Sequence, residues 1–279
     1  MPDIIRYFVK DVESRLRALE TLDEDIEVTE LGYIEFERGA FRYPIHHVLA
    51  ERPGENEKHD VLLSAGIHGD EPSGVYALLD FLDRHVHEYL GVFRFHIFPC
   101  INPSGFEFNK HENLDGVNIN GEFPGEVILS REAVLVKDFL GEDSQRFAFT
   151  MDFHNSGQGP EDDFDPAEDP TEFYMYELCN IHEYRVGTKI VKAHERDRVP
   201  ICRWPKIYSD TTNGNGVIWY PEGRGSKRYV HCLDYFLYQN HTNQAFTIET
   251  PLNWPLEECA RVQLKSLLVA LDEIGSRLG

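Results

Sequence analysis

The sequence predicts an α/β protein. Strand-like and helix-like stretches alternate along the chain, and three short apolar runs each lead into a histidine or a carboxylate. At 279 residues with 41% hydrophobic content, the chain is long enough to bury a large core. No repeat or linker divides it, so one domain is expected over residues 1–279.

Residues 4–20 carry Ile4, Ile5, Phe8, Val9, Val12, Leu16 and Leu19 at the spacing of an amphipathic helix. From 26 to 50 the pattern alternates in β fashion, with a hairpin break at Glu37-Arg38-Gly39. Residues 61–65 form the apolar run of a strand buried on both faces. Pro72 then opens a helix at its first turn, where a missing N–H costs nothing, and the helix runs through Val75, Leu78, Leu79 and Leu82 to about Tyr89. A strand at 92–99 leaves through the turn-rich Ile101-Asn102-Pro103-Ser104-Gly105. A helix at 130–140 precedes a strand at 147–153 that ends at His154. Residues 155–170 read as loop, with the acidic Glu161-Asp162-Asp163-Phe164-Asp165 as a solvated tip. Residues 172–195 read as helix, 203–243 show no clear period, 245–250 form a last strand and 255–278 a closing helix.

A net charge of −22 argues against a nucleic-acid partner, because phosphate binding needs clustered Lys and Arg. The five cysteines, Cys100, Cys179, Cys202, Cys232 and Cys259, are scattered and form no CxxC, which points to neither a disulfide framework nor a cysteine–zinc knuckle. The N-terminus does not read as a secretory signal and no apolar stretch is long enough to span a membrane. A cytoplasmic protein with no membrane partner is expected.

The chemistry gathers at strand ends. Residues 61–65 lead to His68 and Glu71, 147–153 to His154, and 245–248 to Glu249. In an open α/β sheet, ligands collect outside the carboxyl ends of the strands. With 13 histidines and 49 acidic residues a chance His-x-x-Glu is expected, and His85 and Glu88 supply a second one inside a helix. Placed with His154 and Glu249 at one sheet edge, His68 and Glu71 make a two-His, one-Glu set for a single zinc ion, with one carboxylate left over as a base. Asp152, two residues before His154, shares its strand face and can support a ligand or offer a carboxylate to a further metal.

Five segments carry a resemblance to the zinc carboxypeptidase superfamily, which includes carboxypeptidase A, murein peptide amidases, aspartoacylases and succinylglutamate desuccinylases. Gly66-Ile67-His68-Gly69-Asp70-Glu71 is similar to its first ligand motif, and Ile101-Asn102-Pro103-Ser104-Gly105 to its Asn-Pro-Asp-Gly turn. Gly116-Val117-Asn118-Ile119-Asn120-Gly121-Glu122-Phe123-Pro124 resembles Gly-Val-Asp-Leu-Asn-Arg-Asn-Phe-Pro. Asp152-Phe153-His154-Asn155-Ser156 fits the third ligand, and Phe246-Thr247-Ile248-Glu249-Thr250-Pro251 the catalytic glutamate. The resemblance covers about residues 30–275 and implies a mixed, twisted central sheet of about eight strands flanked by helices on both faces.

The departures fall on substrate recognition. Asn118 stands where the family has the Asp that orients the first histidine ligand, beside Asn120 at the family's substrate-side Asn. Gly121 stands where it has a carboxylate-binding Arg, and His111 falls near its carbonyl-polarising Arg. A bidentate arginine clamp is not replaced by glycine. In the 213–228 segment, Tyr220 is the positional match for the family's lid tyrosine, and Arg224 is a cation free to reach inward.

The reading is a zinc-dependent amide hydrolase with His68, Glu71 and His154 on one Zn2+ and Glu249 as general base, acting on a small peptide. An N-acyl amino acid deacylase is the alternative. The C-terminal helix, with no extra β-domain of the aspartoacylase kind after it, favours the peptidase. A non-catalytic metal- and peptide-binding protein is the reading of another class.

Overall fold

The chain enters through a π-helical turn, Val9–Glu13, that continues into α1 (Ser14–Leu22), so the amphipathic segment starts later, and on a wider turn, than its spacing predicts. β1 (Ile26–Phe36) and β2 (Phe41–Ala50) form an antiparallel hairpin. Its turn holds Glu37, Arg38 and Gly39 at φ 49, 58 and 85 degrees. β3 (His59–Ala65) is followed by α2 (Ser73–Arg84), with Pro72 at its N-cap, and the short α3 (Val86–Tyr89). β4 (Phe93–Phe98) leads to α4 (Pro103–Phe108), where a turn-rich exit was expected. α5 (Arg131–Leu140) is capped by Ser130, whose hydroxyl accepts from Ala133 N at 3.3 Å. β5 (Phe149–Ser156) carries His154 within the strand.

The helix expected over 172–195 is corrected. That stretch holds β6 (Tyr174–Cys179), a 3-10 turn and α6 (Gly187–Arg196). The aperiodic 203–243 stretch contains β7 (Lys206–Ile207), β8 (Asp210–Thr211), β9 (Val217–Tyr220) and α7 (Leu233–Asn240). β10 (Gln244–Pro251) and α8 (Leu256–Leu278) close the order. This computed structural model describes residues 5–54, 57–123, 125, 127–141, 146–157, 169–220, 222 and 232–278. The acidic stretch 161–165 lies outside them.

Eight strands form one mixed sheet in the order β1-β2-β4-β3-β5-β10-β6-β9. The four central strands, β4, β3, β5 and β10, are parallel, while β2 and β6 border them antiparallel. Val61, Leu63, Met151 and Phe153 pack with α2 and α8 on one face. Leu62, which alternates with them, packs on the other with Ile119 from the 3-10 turn Ile119–Glu122, Ala133 and Val136 from α5, and Leu233 from α7. Each such buried side chain contributes about 1.5–3 kcal/mol. From β3 the chain crosses to β4 on one side, and β5 pairs on the other. Loops leaving β3 and β5 therefore diverge, which opens a crevice at their carboxyl ends. Among the described residues no helix is long and apolar enough to cross a membrane.

Candidate metal centre

The loop after β3 is fixed by backbone packing. A Cβ on Gly69 would lie 1.9 Å from the carbonyl carbon of Gly105, so the loop and the first turn of α4 touch main chain to main chain. Asn102 holds that turn by accepting from Gly105 N at 2.8 Å. The Asn-Pro-Ser-Gly segment thus acts as a rest for the ligand loop.

On this rest, His68 and Glu71 meet His154. His68 Nδ1 lies 2.9 Å from Glu71 Oε1, and His154 Nδ1 lies 2.9 Å from Glu71 Oε2. One ligand atom from each residue falls within 4.8 Å of the other two, and all three side chains are buried. Two imidazole nitrogens and a carboxylate oxygen converging this closely suit a divalent zinc ion. No Lys or Arg among the described residues pairs with Glu71. Behind the ligands, His154 Nε2 lies 2.9 Å from Asp152 Oδ2, and Asp152 Oδ1 accepts from Ser64 Oγ at 2.7 Å. This is the carboxylate–histidine support that fixes a ligand ring's tautomer. Asn155 N donates to Glu71 Oε2 at 2.9 Å. The outer nitrogen of His68, Nε2, is buried without a hydrogen-bond partner among the described residues.

The electrostatics follow from burial and neighbours. Burial opposes charge on Glu71, but His68 and His154 outweigh it and hold the carboxyl well below the usual range. Burial likewise opposes charge on His154, and Asp152 and Glu71 together raise it well above an ordinary histidine. For His68 burial wins and lowers it.

Glu249 sits on β10, in register with His154 on the parallel neighbour β5. Its Oε2 is buried with no hydrogen-bond partner among the described residues. Burial, followed by the nearby Glu71, Asp234 and Asp152 carboxylates, pushes it up to about 8 against the pull of His154. Asp234 belongs to α7 and accepts from Thr247 Oγ1. It lies in the aperiodic stretch, where no sequence signal marked it.

The residues expected to recognise substrate scatter. Asn118 does not touch His68: its Oδ1 accepts from Asn120 N at 3.1 Å and its Nδ2 lies 3.3 Å from His111 Nε2. Asn120 uses its own Oδ1 to accept from Leu233 N at 2.8 Å, at the start of α7. Tyr220 as a lid tyrosine is corrected. It pairs with Leu178, which pairs with Ala245, four residues before Glu249, so it lies about 13 Å away from the base along the strand direction. Its ring packs edge-on against Tyr235 and Tyr238. Arg224 lies outside the described residues.

Two residues enter in their place. His111 stacks on His68 with ring centroids 3.8 Å apart, and its Nδ1 lies 3.4 Å from Asp70 Oδ1 and 3.9 Å from Glu71 Oε1. Tyr208, between β7 and β8, holds φ at 53 degrees, a conformation a bulky residue rarely adopts without support. Its hydroxyl neighbours Glu249, Asp169 and Tyr174. The left-handed turn at Tyr208 has no sequence signature, because glycine or asparagine would normally announce it.

Known proteins resemble this chain in one sequence segment and in fold. Residues 57–161 match the sequence model of the succinylglutamate desuccinylase/aspartoacylase catalytic domain, a span that includes His68, Glu71 and His154. Carboxypeptidase SOL1 of Arabidopsis thaliana is 25% identical over 62% of this chain and 37% of that protein. Carboxypeptidase E of Caenorhabditis elegans is 31% identical over 26% of this chain and 20% of that protein. The chain thus spans well under half the length of these curated relatives. Among solved structures, a candidate metallopeptidase from Shewanella amazonensis superposes with a TM-score of 0.72 at 20% identity, covering 98% of each chain. A metallo-carboxypeptidase from Burkholderia cenocepacia superposes with a TM-score of 0.64 at 18% identity over 95% of this chain and 68% of that one. The fold is that of the zinc carboxypeptidases. Residues 57–161 are in addition similar to the succinylglutamate desuccinylase/aspartoacylase catalytic domain.

Proposed function

We propose that the protein is a zinc-dependent amide hydrolase acting on peptides. The observation that carries this reading is the convergence of His68 Nδ1 and His154 Nδ1 on the two oxygens of Glu71, with Glu249 opposite His154 on the neighbouring strand. A zinc ion held by those three side chains supplies Lewis acidity, acidifying water and polarising a carbonyl oxygen. Glu249 takes the proton of the attacking water at its unpartnered Oε2 and returns it to the leaving amine. Asp152 keeps His154 turned with Nδ1 inward by engaging Nε2. Tyr208, near the base, is placed to donate to bound substrate.

A second reading, hydrolysis of an N-acyl amino acid, is favoured by the match of residues 57–161 to the desuccinylase/aspartoacylase catalytic domain. One experiment separates the readings. Purified protein is assayed for metal content and for turnover of a panel of short peptides and N-acyl amino acids, alongside Glu249→Gln. About one zinc per chain, peptide turnover and its loss in Glu249→Gln support the proposal. Turnover of acyl amino acids alone moves the assignment to the second reading. Stoichiometric metal without any turnover favours a binding protein, and absence of metal overturns the centre itself.

A further inference from the structure

A cavity of about 240 Å³ abuts the centre, walled by Leu252 and Trp254 and bordered by Asp70 and Asn155, each next in sequence to a metal ligand. Two opposite charges face it. Arg6 reaches it from the N-terminal segment, and its guanidinium meets only neutral acceptors: Phe106 O at 3.1 Å, Gly69 O at 3.5 Å and Asn109 Oδ1 at 2.8 Å. No carboxylate lies within ion-pair distance of it among the described residues. Those three bonds use three of its five N–H donors, which leaves two for a ligand. Asn109 holds its end of the fork from a left-handed conformation, φ 52 degrees, at the end of α4.

Asp70 is the counterpart. It is 9% exposed, and its buried Oδ1 is met only by His111 Nδ1, at a long 3.4 Å, among the described residues. A part-buried guanidinium bonded only to neutral acceptors, facing a buried carboxylate whose counter-charge is the longer contact from His111, gains from a ligand that completes both. The apolar wall from Leu252 and Trp254 gives a side chain somewhere to rest.

We infer that this cavity is a subsite for a zwitterionic amino-acid unit, with Arg6 receiving its carboxylate and Asp70 its ammonium group. The cavity is wide enough for one amino acid, and a guanidinium fork matches a carboxylate's two oxygens. The inference rests on the hydrolase reading in one respect: the unit bound here is one end of the substrate, or the amino acid released from it. It also brings a guanidinium, from the N-terminal segment, to a centre that has glycine at 121.

Binding of leucine, N-acetylleucine and leucinamide to the zinc-loaded protein, measured by calorimetry, tests this directly. Leucine is expected to bind at least tenfold more tightly than either derivative, because each derivative removes one of the two charges. Arg6→Ala should erase the preference for leucine over leucinamide, and Asp70→Asn the preference over N-acetylleucine, with zinc content unchanged in both. Arg6→Lys, which keeps the charge and loses the fork, should fall between. Equal binding of all three compounds overturns the subsite, as does leucine binding indifferent to both Arg6→Ala and Asp70→Asn, which would place the amino acid on the metal. Failure to bind leucine at all overturns it too. Zinc content and turnover stand apart from these outcomes, so the subsite can fail while the hydrolase reading survives.

Discussion

Two groups of histidines and carboxylates occupy opposite ends of the sheet, and they solve the problem of buried charge differently. At the amino ends, His47 Nε2 lies 3.1 Å from His96 Nδ1, and Asp60 is clamped by Arg94, with Nη2 2.8 Å from Oδ2. Asp60 there has its counter-charge from the chain itself, beside a cleft of about 590 Å³ that it lines together with Arg94. At the carboxyl ends, Glu71 and Asp152 face histidines alone, and no Lys or Arg pairs with them among the described residues. The part-buried carboxylate beside the larger cleft is therefore the electrostatically finished one. The smaller, unfinished end is where a cation and a substrate have work to do.

The sharpest way to break that contrast is to remove a ligand. His154→Ala should take zinc content from about one per chain to none and abolish turnover, whereas Arg94→Ala at the other end should leave zinc content unchanged, both read by metal analysis. Next in size is Glu249→Gln, which should keep the metal and lower turnover by about 10²–10⁴-fold. Asp152→Asn should weaken zinc affinity by about 10–100-fold in a competition titration, since it loosens the ring of His154 without removing it. The finished end makes a prediction of its own about acid. Burial pushes His47 down to about 3 and His96 to about 4, against 6.5 in the unfolded chain. Between those values the unfolded state binds more protons, so stability should fall as pH drops from about 6.5 towards 4. A His47→Leu/His96→Leu double variant should flatten that part of the melting-temperature profile. Smallest of all, Tyr208→Phe should raise KM by a few fold and leave kcat nearly unchanged.

The sequence made one end of this comparison legible and left the other obscure. His68, Glu71, His154 and Glu249 could be found because each follows an apolar run, and the ends of parallel strands share an edge. Nothing in the sequence paired His47 with His96, because cross-strand neighbours depend on register. The same blindness misplaced Tyr220. Its distance in sequence from Glu249 suggested a lid, but β9 runs parallel to β6 and antiparallel to β10, which carries the residue away from the site. Residues 172–195 read as helix because Glu, Leu, Met and Tyr suit one. In the fold, Tyr174–Cys179 pairs with β10, and Glu177 is paid for in the interior by Val186 N, Gly187 N and Gln244. Tertiary pairing overrode local preference there. Arg6 and Asp70, 64 positions apart, meet one cavity only after the sheet has formed.

β10 lies between β5 and β6, and the β6–β9 side of the sheet joins the rest through it alone. During synthesis the three metal ligands leave the ribosome before residues 244–251 do. An emerging chain can thus gather its cation early, while the strand that closes the sheet also delivers Glu249. On the proposed reading, completion of the sheet and arrival of the base are one event, and an unfinished chain would have no acid–base group with which to cut its neighbours.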